Sequence, residues 1–177
     1  MNGTAVIDAE ISLQAVIARD RRKVLHMGLA AFGNGADAED IAQDVFIRIW
    51  QRIQQGHTLD DIPSAWVMRV TINVIRDRMR SHWYRRVTVD AAAGLLHEVP
   101  SAEDQALRDH PSALLDAVRR LPIDQQDIVL LFYVADQSLQ AISEMLGIRA
   151  STVKTRLHRA RGRLARILGN ERRTSGG

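Results

Sequence analysis

A chain of 177 residues, 46% hydrophobic and 25% charged, suits one ordinary globular domain or two small ones. The absence of cysteine excludes a disulfide framework, a thiolate nucleophile and cysteine-ligated zinc, and fits a reducing compartment such as the cytoplasm. The net charge of +3 is small but uneven: nine Arg and Lys residues follow residue 148 against Glu171 alone, a second basic cluster holds Arg69, Arg76, Arg78, Arg80, Arg85 and Arg86, and the stretch between them is acidic.

The first helix is predicted over residues 11–32, with Leu13, Ile17, Val24, Leu25 and Leu29 on one side. Upstream of it, Asp8 and Glu10 and the lack of a basic leader argue against a secretory signal. No stretch approaches the roughly 20 uncharged apolar residues of a membrane span, so no membrane insertion is expected. Gly33-Asn34-Gly35 should end the helix, because Gly and Asn tolerate the left-handed conformation found there. Asp37 then reads as the N-cap of a second helix running to about residue 55. Ile41, Val45, Ile49 and Ile53 recur every four residues as a buried stripe, leaving Asp40, Gln43, Asp44, Arg48 and Gln51 on the other side.

After a loop at 56–63, Ser64 reads as the cap of a third helix extending to about Trp83, with Val67, Val70 and Val74 toward a core. Arg69, Asn73, Arg76 and Arg80 share another face, one turn beyond Trp66. Guanidinium groups neutralise phosphate, an amide can read a base edge and an indole can stack on an unpaired base. The same stripe also suits a structural role, with Trp66 anchoring the core and the arginines solvating an outer face. Periodicity breaks down over 87–111, which reads as a linker with a weak helix near 102–108. The expected organisation is therefore a helical module at 1–86, a linker at 87–111, a second module at 112–170 and a disordered tail at 171–177.

In the second module a helix from Ser112 ends at Leu121-Pro122, since a residue preceding proline avoids the helical region. A dense apolar run from Ile128 to Val134 is expected to be buried throughout. Ser138 should cap a short helix carrying Leu139, Ile142 and Leu146, Gly147-Ile148 a tight turn, and Ser151 a long helix with Val153, Leu157, Ala160, Leu164 and Ile167 inward. Two helices joined by a short glycine-containing turn, the second basic, form a helix-turn-helix whose second helix fits the DNA major groove. Its outward side chains are Thr152, Lys154, Thr155, His158, Arg159 and Arg161. A helical hairpin in a plain bundle fits the apolar spacing equally well but leaves the basic outer face without a reason. The fold class is all-α, two small helical domains joined by a flexible linker.

These segments, in this order, resemble the extracytoplasmic-function group of the sigma-70 family of RNA polymerase sigma factors. Asp37-Ala38-Glu39-Asp40-Ile41 with Gln43-Asp44-Val45-Phe46 and Trp50 looks like region 2, Ala65-Trp66-Val67 with Arg69, Asn73, Asp77 and Arg80 like its −10 helix, and Leu121-Pro122 with Ser138 to Arg161 like region 4. The sequence departs from the family pattern at Gln126, Ala141 and Ser143. The resemblance implies a promoter-selectivity factor with no catalytic centre and no metal or other cofactor. Asp40, Gln43 and Asp44 would bind core RNA polymerase at the β′ clamp helices, with a further contact to the β flap. Trp66, Arg69, Asn73, Arg76 and Arg80 would hold the −10 element. Thr152, Lys154, Thr155, His158, Arg159 and Arg161 would read the −35 element. An anti-sigma protein is an implied partner. The competing reading is a helix-turn-helix regulator that does not bind core polymerase. An enzyme is disfavoured because the six histidines lack ligand spacing and no glycine elbow or phosphate-cradling loop is present.

Overall fold

The computed structural model describes residues 3–90 and 112–174. Every element among the described residues is helical. In chain order these are α1 (Gly3–Phe32), α2 (Gly35–Gln54), a 3-10 turn (Leu59–Asp61), α3 (Ser64–Asp90), α4 (Ser112–Arg119), α5 (Ile123–Val129) continued by a π-helical turn (Leu130–Val134), α6 (Leu139–Leu146) and α7 (Ala150–Thr174).

α1 and α2 form a tight antiparallel pair. Gly33 takes the left-handed conformation, φ 82°, and its N–H closes onto the Leu29 carbonyl at 2.7 Å. Asn34, not Asp37, is the N-cap of α2. Its Oδ1 accepts the Asp37 N–H at 2.7 Å, because Gly35 and Ala36 are already helical and the cap lies three residues upstream. Asp37 sits in the first turn, where a carboxylate favours the positive helix start. Ser64 is likewise not a cap. It opens α3 under the Pro63 carbonyl, and its hydroxyl donates to Asp20 Oδ1 at 2.5 Å.

The α2 stripe Ile41, Val45, Ile49 and Ile53 is buried as expected. On α1 the buried line is Val16, Asp20, Val24, Met27 and Ala31, rotated slightly from the leucine face that hydrophobicity alone selects. The rotation centres on Asp20, only 1% exposed, whose carboxylate is held by Ser64 and by Arg19 Nε at 2.9 Å. A hydrogen-bonded carboxylate is tolerated in a core where an unpaired one is not. Arg19 also donates to the Ile62 carbonyl at 2.7 Å, tying the 56–63 loop to α1.

Three helices outrun their expected ends. α1 begins at Gly3, α3 continues to Asp90 through the first residues assigned to the linker, and α7 reaches Thr174 within the expected tail. None of these extensions contains proline, so nothing in them forces the backbone out of the helix. The rest of the linker, with the helix expected near 102–108, lies outside the described residues.

In the C-terminal module Pro122 precedes α5, Ser138 Oγ accepts the Ala141 N–H at 3.1 Å to cap α6, and Gly147, φ 65°, turns the chain toward α7. α7 starts at Ala150, one residue before Ser151, with the Thr152 N–H on the Arg149 carbonyl. The apolar run is not buried throughout: Tyr133 is 54% exposed. A helix at the edge of a module turns one side of its circumference to solvent, and Tyr133 falls on that side. Val153, Leu157 and Ala160 complete the interior. The two modules meet, α4 and the π turn lying on α1 and α6 on α3, and their buried residues form one continuous apolar cluster.

Candidate nucleic-acid interface

The outer face of α7 carries Lys154, Thr155, His158 and Arg159 exposed and Thr152 half-buried, opposite the buried Val153, Leu157 and Ala160. Thr152, Thr155 and Arg159 border a shallow hollow of about 330 Å³ with Ser151 and Arg156. Arg156 is turned back to Asp124 at 3.3 Å, which fixes α7 against α5. Arg161 stands apart from the others. Its Nε donates to the Tyr133 hydroxyl at 2.7 Å, and its guanidinium lies 5.7 Å from both the Phe132 and Tyr133 rings. The basic face instead continues through Arg163 and Arg166, which with Arg120 border a second hollow of about 380 Å³. Arg166 and Arg120 were not singled out by sequence, although Arg159, Arg163 and Arg166 are spaced four and three apart, the spacing of one helical face.

The α3 face is less uniform than its sequence stripe. Arg69 and Asn73 are exposed. Arg80, 75% exposed, pairs with Asp77 at 2.8 Å. Trp66 is half-buried against the core, and the Arg52 guanidinium sits 4.8 Å over its ring, so the indole serves partly as the anchor that the structural alternative describes. Arg76 faces the C-terminal module: its Nε and terminal nitrogen meet Asp127 Oδ2 at 2.7 and 2.5 Å. The loop leading into α3 is shaped by Asp61, whose Oδ2 accepts the Thr58 N–H at 2.9 Å and hydroxyl at 3.0 Å. These bonds, the backbone one first, hold the Asp61 carboxyl below the ordinary value of 3.8.

On α2, Gln43 and Asp44 are exposed and Asp40 is exposed beside them. Arg78 of α3 reaches across to Asp40 at 2.6 Å and Asp37 at 3.0 Å, with Asp44 at 4.0 Å. Burial alone would lower the Arg78 pKa, but the bonds to Asp40 and Asp37 outweigh it and raise it. The acidic face is thus partly neutralised from behind, and Gln43 and Asp44 are its more open members. Gln43 also borders an apolar groove of about 770 Å³ between α1 and α2, walled by Leu13, Phe46, Ile47 and Trp50, with Ile47 54% exposed. No set of three or more potential metal-ligating side chains occurs among the described residues. No helix there is long and apolar enough to cross a membrane.

Comparison with known proteins places these faces in a family. Sigma-70 region 2 matches residues 16–85 and sigma-70 region 4 matches residues 112–164. The chain is 30% identical over 156 residues to the ECF RNA polymerase sigma factor SigW of Bacillus subtilis, covering 82% of this chain and 83% of SigW. The chain belongs to the ECF sigma factors of the sigma-70 family. It is also 35% identical over 154 residues to the probable RNA polymerase sigma factor RfaY of Xanthomonas campestris, covering 82% of this chain but only 38% of RfaY. The fold is that of the sigma factor RpoE solved with the anti-sigma factor NepR from Bartonella quintana, at TM-score 0.68 and 21% identity, over 88% of this chain and 96% of RpoE.

Proposed function

We propose that this ECF sigma factor binds core RNA polymerase in the cytoplasm and directs it to promoters, using α7 for duplex −35 DNA and the α3 face with the 56–63 loop for the −10 element. Three separate surfaces on one chain support this reading: the basic outer face of α7, the Arg–Asn face of α3, and the polar rim and apolar groove of α2. A helix-turn-helix regulator needs only the first of them. On α7, Lys154, Thr155, His158 and Arg159 with Thr152 meet base edges and nearby phosphates, while Arg163, Arg166 and Arg120 extend the cationic surface along the backbone. Arg161, held by Tyr133, acts mainly by bracing α7. On α3, Arg69 and Asn73 are the open members. An extruded base costs a few kcal/mol to unstack, and polar groups at its exposed edge offset that cost.

Asp40, Gln43 and Asp44 dock on the β′ clamp helices, and the α1–α2 groove receives apolar side chains of the same partner. Region 4 contacts the β flap, and an anti-sigma protein competes for these surfaces. No step of this function calls for a catalytic centre or a cofactor. Co-elution with core polymerase in the absence of DNA tests the reading. A sigma factor forms that complex, and a chain that binds only duplex DNA would return the regulator reading.

A further inference from the structure

The 56–63 loop leads from α2 into the −10 face of α3, and its far end is tied to α1 by two residues adjacent in sequence. Asp20 is 1% exposed, and its Oδ1 accepts the hydroxyl of Ser64, the first residue of α3, at 2.5 Å. Its Oδ2 accepts Arg19 Nε at 2.9 Å, with a terminal nitrogen of Arg19 2.8 Å from the same oxygen. That terminal nitrogen also donates to the Ile62 carbonyl at 2.7 Å. One carboxylate and one guanidinium thus grip the chain on both sides of Pro63.

Seating the loop does not require this network. Ile62 is fully buried, and burial of an apolar side chain holds its place without fixing a direction. A hydrogen bond to the Ile62 carbonyl does fix the direction of the peptide plane. An apolar side chain at position 20 would avoid the desolvation cost of a buried carboxylate, and replacements of that kind are often neutral or stabilising. The network therefore contributes orientation more than stability. Arginine suits the task because its planar fork serves two acceptors in a set geometry, which the point charge of lysine does not. The loop has a second brace of its own, from Asp61 to the Thr58 amide and hydroxyl. Leu59, Asp60 and Asp61 are exposed between the two braces, and Arg69 and Asn73 are exposed on the helix that follows.

We propose that Arg19 and Asp20 are positioning residues for the −10 contact: from α1 they set the direction of the 56–63 loop against the start of α3, so that an extruded base meets one fixed arrangement. This deepens the −10 reading of the α3 face and rests on it. A loop already in its bound shape loses less freedom on binding. Polar groups reject a wrong base only when their surroundings keep them from shifting to accommodate it. Arg19 and Asp20 act through Ile62 and Ser64 and need not touch DNA.

The test uses holoenzyme assembled from core RNA polymerase and the full chain. The probes are a single-stranded oligonucleotide with the non-template −10 strand of a promoter selected in run-off transcription, and copies with one base of that element replaced at a time. Fluorescence anisotropy gives each affinity, and the readout is the ratio between original and replaced base at the most discriminated position. A variant that only loses stability lowers the active fraction and leaves this ratio unchanged. Arg19→Lys keeps the charge without the fork, and Asp20→Asn keeps the shape without the charge. Each should reduce the ratio by roughly fivefold or more, the low end of what one well-placed base contact contributes. Core binding and −35 duplex binding should stay within about twofold, as should every measurement on Arg22→Lys, an exposed arginine of the same helix. If Asp20→Asn does not fold, Arg19→Lys on the half-exposed side of the network still decides. A ratio within about twofold of the unsubstituted one in the folded variants overturns the positioning role and leaves the −10 reading standing. A chain that selects no start site, or a holoenzyme with no base preference, overturns the −10 reading and the positioning role with it.

Discussion

Gly28 and Gly162 invite the same substitution with opposite outcomes. Both lie inside helices, where replacing glycine by alanine gains about 1 kcal/mol by reducing the freedom of the unfolded backbone. At Gly162 an added Cβ meets nothing within 4 Å, so Gly162→Ala should stabilise the chain by about 0.5–1 kcal/mol. At Gly28 the new Cβ would lie 2.9 Å from the Ala38 Cα and 3.2 Å from its Cβ, against 3.4–4 Å for ordinary contact. The obstacle at Gly28 is the α2 backbone, which cannot swing aside as a side-chain tip could, so α1 and α2 must part by roughly half an ångström along a packed seam. Overpacking of this kind costs about 1–3 kcal/mol and exceeds the propensity gain, leaving Gly28→Ala destabilised by up to about 2 kcal/mol. Urea unfolding followed by circular dichroism, with the slope checked for constancy, measures both changes. The midpoints should move in opposite directions. A Gly28→Ala chain as stable as Gly162→Ala would show that the α1–α2 seam is looser than the structure has it, and the groove built on that seam would lose its definition.

Lys154→Ala and Arg159→Ala should each weaken binding to promoter duplex by about 1–3 kcal/mol, read by fluorescence anisotropy, and unchanged affinity in both would remove α7 from the −35 contact. Arg163→Gln with Arg166→Gln should lower the salt slope of duplex binding by about 2 while weakening specific and unrelated duplexes alike; an unaltered slope would separate those arginines from the phosphates. Asp44→Arg should weaken core polymerase binding measured by co-elution, whereas an unaffected complex would move the docking face elsewhere. Asp61 offers a pH test. Its folded pKa is depressed, so the support it gives the 56–63 loop is present above 3.8 and lost as pH falls through the lower folded value. The Thr58 amide should titrate with a midpoint below 3.8 by NMR, and a midpoint at or above 3.8 would mean that the Asp61–Thr58 bonds do not form in solution.

The parts of the structure most legible in the sequence were those governed by periodicity and by single-residue stop signals. The four-residue repeat of isoleucine and valine gave the buried face of α2, Pro122 and Gly147 gave the helix boundaries around the helix-turn-helix, and the basic outward positions of α7 are exposed as their spacing implied. Capping was read less well, because a cap is chosen by which donor a side chain can reach, and Asn34 reaches the third amide of α2 while Asp37 does not need to. The buried Asp20 could not be read from hydrophobicity, since its burial depends on Ser64, distant in sequence. Partner choice was similarly hidden for Arg76, Arg78 and Arg161. Spacing places an arginine on a face, but Asp127, Asp40 and Tyr133, which decide what its guanidinium does, come from other helices.

Run-off transcription with core polymerase and the purified chain, on fragments of the source genome that include the promoter of its own operon, tests the central claim most directly. The chain should confer discrete start sites that core polymerase alone does not use, each preceded by a shared pair of elements near −35 and −10. Identical start sites with and without the chain would contradict the account, even if the C-terminal module bound duplex DNA tightly.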